Sequence, residues 1–345
     1  MNQAFLAEIT RKMTLPFRIP AEPTAVPLDR PSAPPVRLPA ARKPESRTFA
    51  ETPSYEELRA RATRLVEIGE YEEALLVLDA AVDVAAAEGG EVLADRAACN
   101  RSAVAIEIGS PERQAETLLD VLARSADVEN SWAAANALAR ISELGSSYKK
   151  GIFYARIARD RARWLGRDDW LAHAHNRLGN LLLAESHVAE ATAEYEQAME
   201  LIPADPPVWR AQVLDNVGYC RLLDGRLEEG LSLLYESLRT LLHAQAHRHR
   251  ISCHLDLAFG LLEAERFRYS WAHAQKAVAL AERYSDPESV KNGLYLLGEA
   301  QLKAGAGSAA EATFSRLQTE FFPDNPQVCA WLREVDLRQV VNLRA

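Results

Sequence analysis

The sequence predicts an all-α fold, a right-handed α-solenoid of about seven helical hairpins with a C-terminal capping helix. Three observations carry the prediction. From Ser54 onward apolar residues recur three and four apart, as in Leu58, Leu65 and Val66 and then Ala74, Leu75, Leu78 and Ala81, which is the spacing of one helix face. Breaks at Gly69, Gly109, Gly145, Gly166, Gly225 and Gly305 divide this pattern, and few strand-like runs interrupt it. A small residue also returns with a period near forty, the mark of a repeat architecture.

The first segment, residues 1–53, stands apart from the rest. Residues 1–50 hold eight Lys and Arg against four acids, whereas the remaining 295 residues hold 32 against 45. Ten of the seventeen prolines fall at or before Pro53. A ring without an N–H every few residues forbids both helix and sheet ladder, so this Pro-rich, basic stretch is expected to be a largely disordered tail. Its opening residues Phe5, Leu6, Ile9, Met13 and Leu15 are spaced for a short amphipathic helix able to dock on its own domain or on another protein. Glu8 and the proline density argue against a mitochondrial transit peptide.

Residues 54–326 form the expected solenoid. The small residue early in each second helix is Ala74, Ala115, Gly151, Ala191, Gly230, Ser270 and Ala310, with separations of 41, 36, 40, 39, 40 and 40. Four residues later stand Leu78, Leu119, Ala155, Tyr195, Leu234, Ala274 and Phe314, and seven later Ala81, Leu122, Ala158, Ala198, Ser237, Ala277 and Leu317. Offsets of zero, four and seven share one face. Small side chains there let two helices approach closely, and the bulkier middle residue is expected to fill the gap between neighbouring units.

Here the chain resembles the tetratricopeptide repeats. Ala172 to Asp205 carries Leu178-Gly179, Leu182, Ala191, Tyr195, Ala198 and a closing Pro203, with His175 in place of the usual bulky aromatic. Gly218 and Gly298 repeat the first-helix glycine, for which Ala62 and Ala258 substitute. The likeness covers Ser54 to Pro323 with units longer than the family's usual thirty-four residues, similar to those of bacterial regulatory proteins such as activator sensor domains and Rap-type phosphatases. It implies a protein-binding scaffold or adaptor. After Pro326, residues 327–345 are assigned to a capping helix on Val328, Trp331, Leu332, Val335 and Val341, which closes the last apolar face.

A stacked array lines its concave face with the first helix of each hairpin. Fifteen residues before the small residue of the second helix stand Asn100, Asn136, Asn176 and Asp215, with Asn216 beside the last. Asparagine is a mediocre helix former; its amide both donates and accepts, which suits the backbone of an extended peptide. Arg140 and Asn180 lie one turn beyond Asn136 and Asn176, Arg101 and Arg177 flank the strip, His173 points into the groove, and Tyr219 and Phe259 offer apolar contact. Such a strip suits an acidic or carboxylate-bearing ligand. The resemblance implies that Asn180 and Asn216 hold a ligand main chain. The basic residues that clamp a terminal carboxylate in chaperone-binding members are replaced by Asn176, Ser252 and Asp256. Two structural alternatives stand beside this reading: the asparagines bond one another across neighbouring repeats, and Arg140 pairs with Glu143 three positions on.

Other classes are disfavoured. A net charge of -9 argues against general nucleic-acid binding. No apolar run is long enough for a membrane span, and no secretory signal is present, so a cytoplasmic location is expected. Cys99, Cys220, Cys253 and Cys329 are scattered without a Cys-x-x-Cys pair, which fits neither a zinc ribbon nor a disulfide framework. His243, His247, His249 and His254 suggest a metal, but no acid or thiol completes a set, so His247-Arg248-His249-Arg250 reads as a solvated hairpin junction. No phosphate loop, dinucleotide fingerprint or nucleophile elbow occurs. The six tryptophans read as helix starts and packing sites. The expectation is therefore a non-enzymatic, cofactor-free protein that binds another protein's peptide or helix, or else a ligand-gated bacterial regulator, with the tail as a second, autoinhibitory contact.

Overall fold

The computed structural model describes residues 53–330, apart from 110, 204, 206, 326 and 329. The expected tail, its amphipathic helix and most of the expected capping helix lie outside these residues. The rest is helical throughout. Seven hairpins follow one another: α1 (Tyr55–Ile68) with α2 (Tyr71–Glu88), α3 (Glu91–Ile108) with α4 (Glu112–Arg124), α5 (Val128–Leu144) with α6 (Tyr148–Leu165), α7 (Asp168–Ala184) with α8 (Val188–Leu201), α9 (Pro207–Leu223) with α10 (Leu227–His243), α11 (Arg250–Glu263) with α12 (Phe267–Arg283), and α13 (Pro287–Lys303) with α14 (Gly307–Phe321).

Local chemistry sets the helix ends. Ser54 and Glu57 make a capping box before α1: the Ser54 Oγ accepts from the Glu57 N–H at 3.3 Å, and Glu57 Oε2 accepts from the Ser54 N–H at 2.8 Å. Asp127 caps α5, and Asp286, followed by Pro287 in the first turn, caps α13. Inside each of the last five hairpins the turn repeats a left-handed residue: Ser146, Ser186, Gly225, Glu265 and Gly305 all have positive φ. Their separations of 40, 39, 40 and 40 show the same turn built again in each unit. Gly225 and Gly305 take that conformation without a Cβ penalty; Ser146, Ser186 and Glu265 adopt it against one.

Packing follows the forty-residue beat. Ala74, Gly151, Ala191, Gly230, Ser270 and Ala310 are all buried, as are the residues four and seven positions on. The bulky middle residue, however, fills its own hairpin rather than the gap between units. A Cβ on Gly179 would lie 2.5 Å from the Tyr195 ring, and one on Gly298 2.7 Å from the Phe314 ring. The first-helix glycine is thus the seat for the second-helix aromatic.

The second hairpin departs from the expected register by one residue. Leu118 and Val121 are buried and Leu119 is exposed, so the close-approach position falls on Gln114, 40 residues after Ala74, rather than on Ala115. There the Ser102 Oγ donates to Gln114 Oε1 at 3.2 Å, so α3 and α4 meet through a polar bond instead of a small-residue contact.

Successive first helices pack on one another, α3 on α5, α5 on α7, α9 on α11 and α11 on α13. Second helices splay outward, joined at points by ion pairs such as Arg316 to Glu282 at 2.6 Å. The first helices therefore form the tight inner wall. One contact was not foreseen: α1 also packs against α9, so the chain curls until its first hairpin meets its fifth.

Candidate functional site

The inner wall is knit by side chains reaching from one first helix to the next. Near the helix starts runs a ladder of flat groups. Trp132 of α5 stacks on Trp170 of α7, with ring centroids 4.2 Å apart. His173, one turn along α7, stacks on Trp209 of α9 at 3.8 Å. Gln212, one turn along α9, hydrogen-bonds His249 at the start of α11. His249 then meets the Tyr71 ring edge-on at 6.0 Å, and its Nε2 lies 3.4 Å from the Val66 carbonyl oxygen.

The neighbouring Arg248 completes the closure. It donates to Glu72 Oε1 at 2.8 Å and lies over the rings of Tyr71 and Tyr284 at 4.8 and 5.0 Å. A Cβ on Gly69 would stand 2.8 Å from the Arg248 Cβ, so the two chains touch at backbone range. The junction expected to be solvated is instead a lock between the first hairpin and the start of the sixth, because a guanidinium between two aromatic faces gains more there than in water.

Deeper along the wall four charges alternate across three helices. Arg140 donates to both Glu107 oxygens at 2.8 Å and pairs with Glu143 at 3.2 Å, and Arg177 donates to Glu143 Oε2 at 2.6 Å. Burial pushes the Glu107 and Glu143 carboxyls up, but the Arg140 and Arg177 charges more than reverse it, holding both below the usual carboxylate range. His173 is exposed along the wall; crowding by the surrounding wall and the Arg177 charge lower its pKa.

The asparagines form a third layer. Asn216 Nδ2 donates to Asn176 Oδ1 at 2.8 Å and more weakly to Asn180 Oδ1 at 3.4 Å, and the Tyr195 hydroxyl donates to Asn180 Oδ1 at 2.8 Å. Both oxygens are thus turned into the wall. The NH₂ groups of Asn176 and Asn180 have no partner among the described residues, and both residues are half-buried. Two amide donors one turn apart are left with a fixed orientation.

Asn136 is half-buried and its Oδ1 has no partner among the described residues. Asn100 lies off the register because of the slip in α4, and its Nδ2 donates to the Tyr55 hydroxyl at 2.9 Å. Arg101 turns away to Asp79 at 2.5 Å. Asp215 and Asn216 are buried, and Tyr219 and Phe259 are core residues 0% and 3% exposed with rings 5.8 Å apart. These two rings cannot offer apolar contact to a ligand, since toward α9 and α11 the wall closes and its middle positions become interior.

Sequence reasoning passed over Tyr71 and Glu107, and it placed Trp132, Trp170 and Trp209 at helix starts or packing sites and Arg248 in a solvated junction without joining them across the wall. The signal was present for three ladder members, since Trp170, Trp209 and His249 follow one another at 39 and 40 residues. The thiols of Cys99, Cys220 and Cys253 are buried and form no disulfide. Among the described residues no three His, Cys, Asp or Glu side chains are grouped to hold a metal ion, and no helix is long and apolar enough to cross a membrane.

The architecture is that of a tetratricopeptide-type helical-hairpin solenoid. Its shape is similar to a chain of the APC/C hetero-tetramer Cut9-Hcn1 (TM-score 0.64, 13% identity, 84% of this chain and 51% of that one). It is also similar to a Rap protein complexed with Competence and Sporulation Factor (TM-score 0.61, 12% identity, 81% and 76%). A third likeness is to a signal-transduction ATPase with a tetratricopeptide repeat sensor from Pyrococcus horikoshii (TM-score 0.58, 13% identity, 84% and 46%). At the level of sequence, no family model and no curated protein matches the chain.

Proposed function

We propose that this protein is a non-enzymatic interaction scaffold whose inner wall receives an extended peptide of another protein through the oriented amides of α7. The observation that carries the reading is the pair of outward NH₂ groups on Asn176 and Asn180, held in place by Asn216 and Tyr195. Fixed donors cost little ordering on binding and match carbonyl or carboxylate oxygens. Arg177, half-buried beside them, adds positive potential although Glu143 already engages it. The solved likenesses include a Rap protein complexed with Competence and Sporulation Factor and an ATPase with a tetratricopeptide repeat sensor, which favours a regulatory role over a purely structural one.

A second reading, ligand-gated regulation, rests on the closure at Arg248. A ligand that fits the wall only when the first hairpin swings away, or only when it is seated, shifts the balance between two forms.

The test uses Asn176→Asp and Asn180→Asp. Each keeps the inward oxygen acceptor and replaces the outward donor with a carboxylate oxygen. Selection of a displayed random-peptide library on the full chain is expected to enrich binders that both variants lose while their thermal unfolding stays unchanged. Equal capture by the variants would remove the inner wall from consideration.

A further inference from the structure

On the outer side of the solenoid, α6 carries a charge opposite to the protein's. It has six cations, Lys149, Lys150, Arg156, Arg159, Arg161 and Arg163, against Asp160 alone, in a chain of net charge -9. Its inward face is Gly151, Tyr154, Ala155, Ala158 and Ala162. The opposite face presents Phe153 at 59% and Trp164 at 74% exposure. These two are eleven residues apart, three turns, so they sit on one line about 16 Å long, with half-buried Ile157 and the exposed Asp160, paired to Arg159 and Arg163, between them.

The packing role expected for Trp164 does not hold. Lys149, Arg156 and Arg161 are exposed and have no ion-pair partner among the described residues, while Asp160 serves Arg159 and Arg163. Isolated surface apolar groups are ordinary, but a collinear Phe and Trp flanked by free cations are not.

From this face we infer that α6 docks an acidic amphipathic helix of a partner protein, its apolar side chains on Phe153, Ile157 and Trp164 and its carboxylates on the flanking Lys and Arg. The site is one helix wide, which decides among anionic partners. The next second helix, α8, bears Glu190, Glu194, Glu196 and Glu200 and no cation. A planar bilayer or a nucleic-acid duplex pressed on α6 would also meet those acids, whereas a single helix lying along α6 avoids them. The chain's own tail, with eight cations against four acids in residues 1–50, has the wrong sign. Apolar anchors at three- and four-residue spacing along a helix match a stripe of this length.

The probe is a labelled peptide of about 18 residues with Leu on one helical face and Glu elsewhere, followed by fluorescence anisotropy on the full chain. Controls are a Lys-for-Glu copy, phosphatidylserine-containing vesicles and a short DNA duplex. The acidic peptide is expected to bind, and to weaken at least about tenfold in Phe153→Ala/Trp164→Ala and in Arg156→Glu/Arg161→Glu. The Lys copy should not bind, and raising the salt should loosen the complex. All four substitutions are at exposed positions, and unchanged circular dichroism melts establish that the variants fold. Binding unaffected by either variant, equal binding of the Lys copy, or vesicle or duplex binding that the same substitutions abolish would overturn the proposal. So would self-association in sedimentation that Trp164→Ala removes, since the occupant would then be a second copy. Asn180→Asp leaves this binding intact, which separates the outer face from the inner wall.

Discussion

Arg248 and Glu72 stand 176 positions apart in the chain, yet the guanidinium of one donates to the carboxylate of the other at 2.8 Å. Repeat arrays ordinarily hold together through nearest neighbours alone. Here a non-neighbour contact is added, and it joins the first hairpin to the helix that begins at Arg250.

The two partners should contribute unequally. Glu72 is 63% exposed and Arg248 14%, so Glu72→Ala is expected to cost less than about 1 kcal/mol. Arg248→Ala also loses the Tyr71 and Tyr284 ring faces and should cost about 1–2 kcal/mol. Urea unfolding measures both. Small-angle scattering should show a larger radius of gyration for Arg248→Ala, and an unchanged radius would mean that the closure is held elsewhere.

The charged network of the inner wall makes a sharper case. Arg140→Met leaves Glu107 and Glu143 facing one remaining guanidinium. Breaking such a pair from one side costs about 3–5 kcal/mol when it is fully buried; with Arg140 and Glu107 each 25% exposed, about 2–3 kcal/mol is expected. Adding Glu107→Met restores the balance with Glu143 and Arg177 and should recover most of the loss. A double variant as unstable as the single one would show that packing, not charge, sets the cost.

The fold was legible because its signal is repeated. Six of the seven small-residue positions carry the same contact, and one misplaced unit, Ala115 for Gln114, did not disturb the rest. The site was less legible for two physical reasons. Spacing says which side chains face inward but not whether the wall leaves room: Asn176 and Asn180 keep a free edge, while Tyr219 and Phe259 at equivalent depth are core. Curvature sums small rotations over many units, so no local pattern announces that Glu72 will meet Arg248.

The repeated turn supplies a test with an internal control. Glu265 takes φ +57° where Gly225 and Gly305 occupy the corresponding sites at +78° and +81°. Glu265→Gly should stabilise by about 0.5–1 kcal/mol through relief of the left-handed strain, net of the added freedom of the unfolded chain. Gly225→Ala should destabilise by about 1 kcal/mol or more. Thermal melts that move both variants the same way would contradict the account.

The pH dependence of stability should come from groups that have no role in the proposed binding. His254 and His273 face each other with Nδ1 atoms 3.0 Å apart, and both are buried. Burial lowers both, with the opposing ring adding to it for His254 and Lys276 for each; the values fall to about 3 and about 4, and the Tyr235 ring stands edge-on to His273. Below pH 6.5 the unfolded chain takes up protons that the folded pair refuses, so stability is complete above that value and falls as the pH drops toward 4. The slope is at most about 1.4 kcal/mol per pH unit for each ring. Glu299, 6% exposed, acts in the opposite sense. Burial raises its carboxyl to about 7 against a modest pull from Lys303, so its contribution is complete below pH 4.5 and is lost as the pH rises to 7. Urea midpoints between pH 4.5 and 8 should therefore show His254→Asn/His273→Asn flattening the acid limb. Glu299→Gln should steepen the limb and gain on the parent chain as the pH rises from 4.5 to 7. An acid limb unchanged by the histidine pair would assign the transition to the inner-wall carboxylates Glu107 and Glu143 instead.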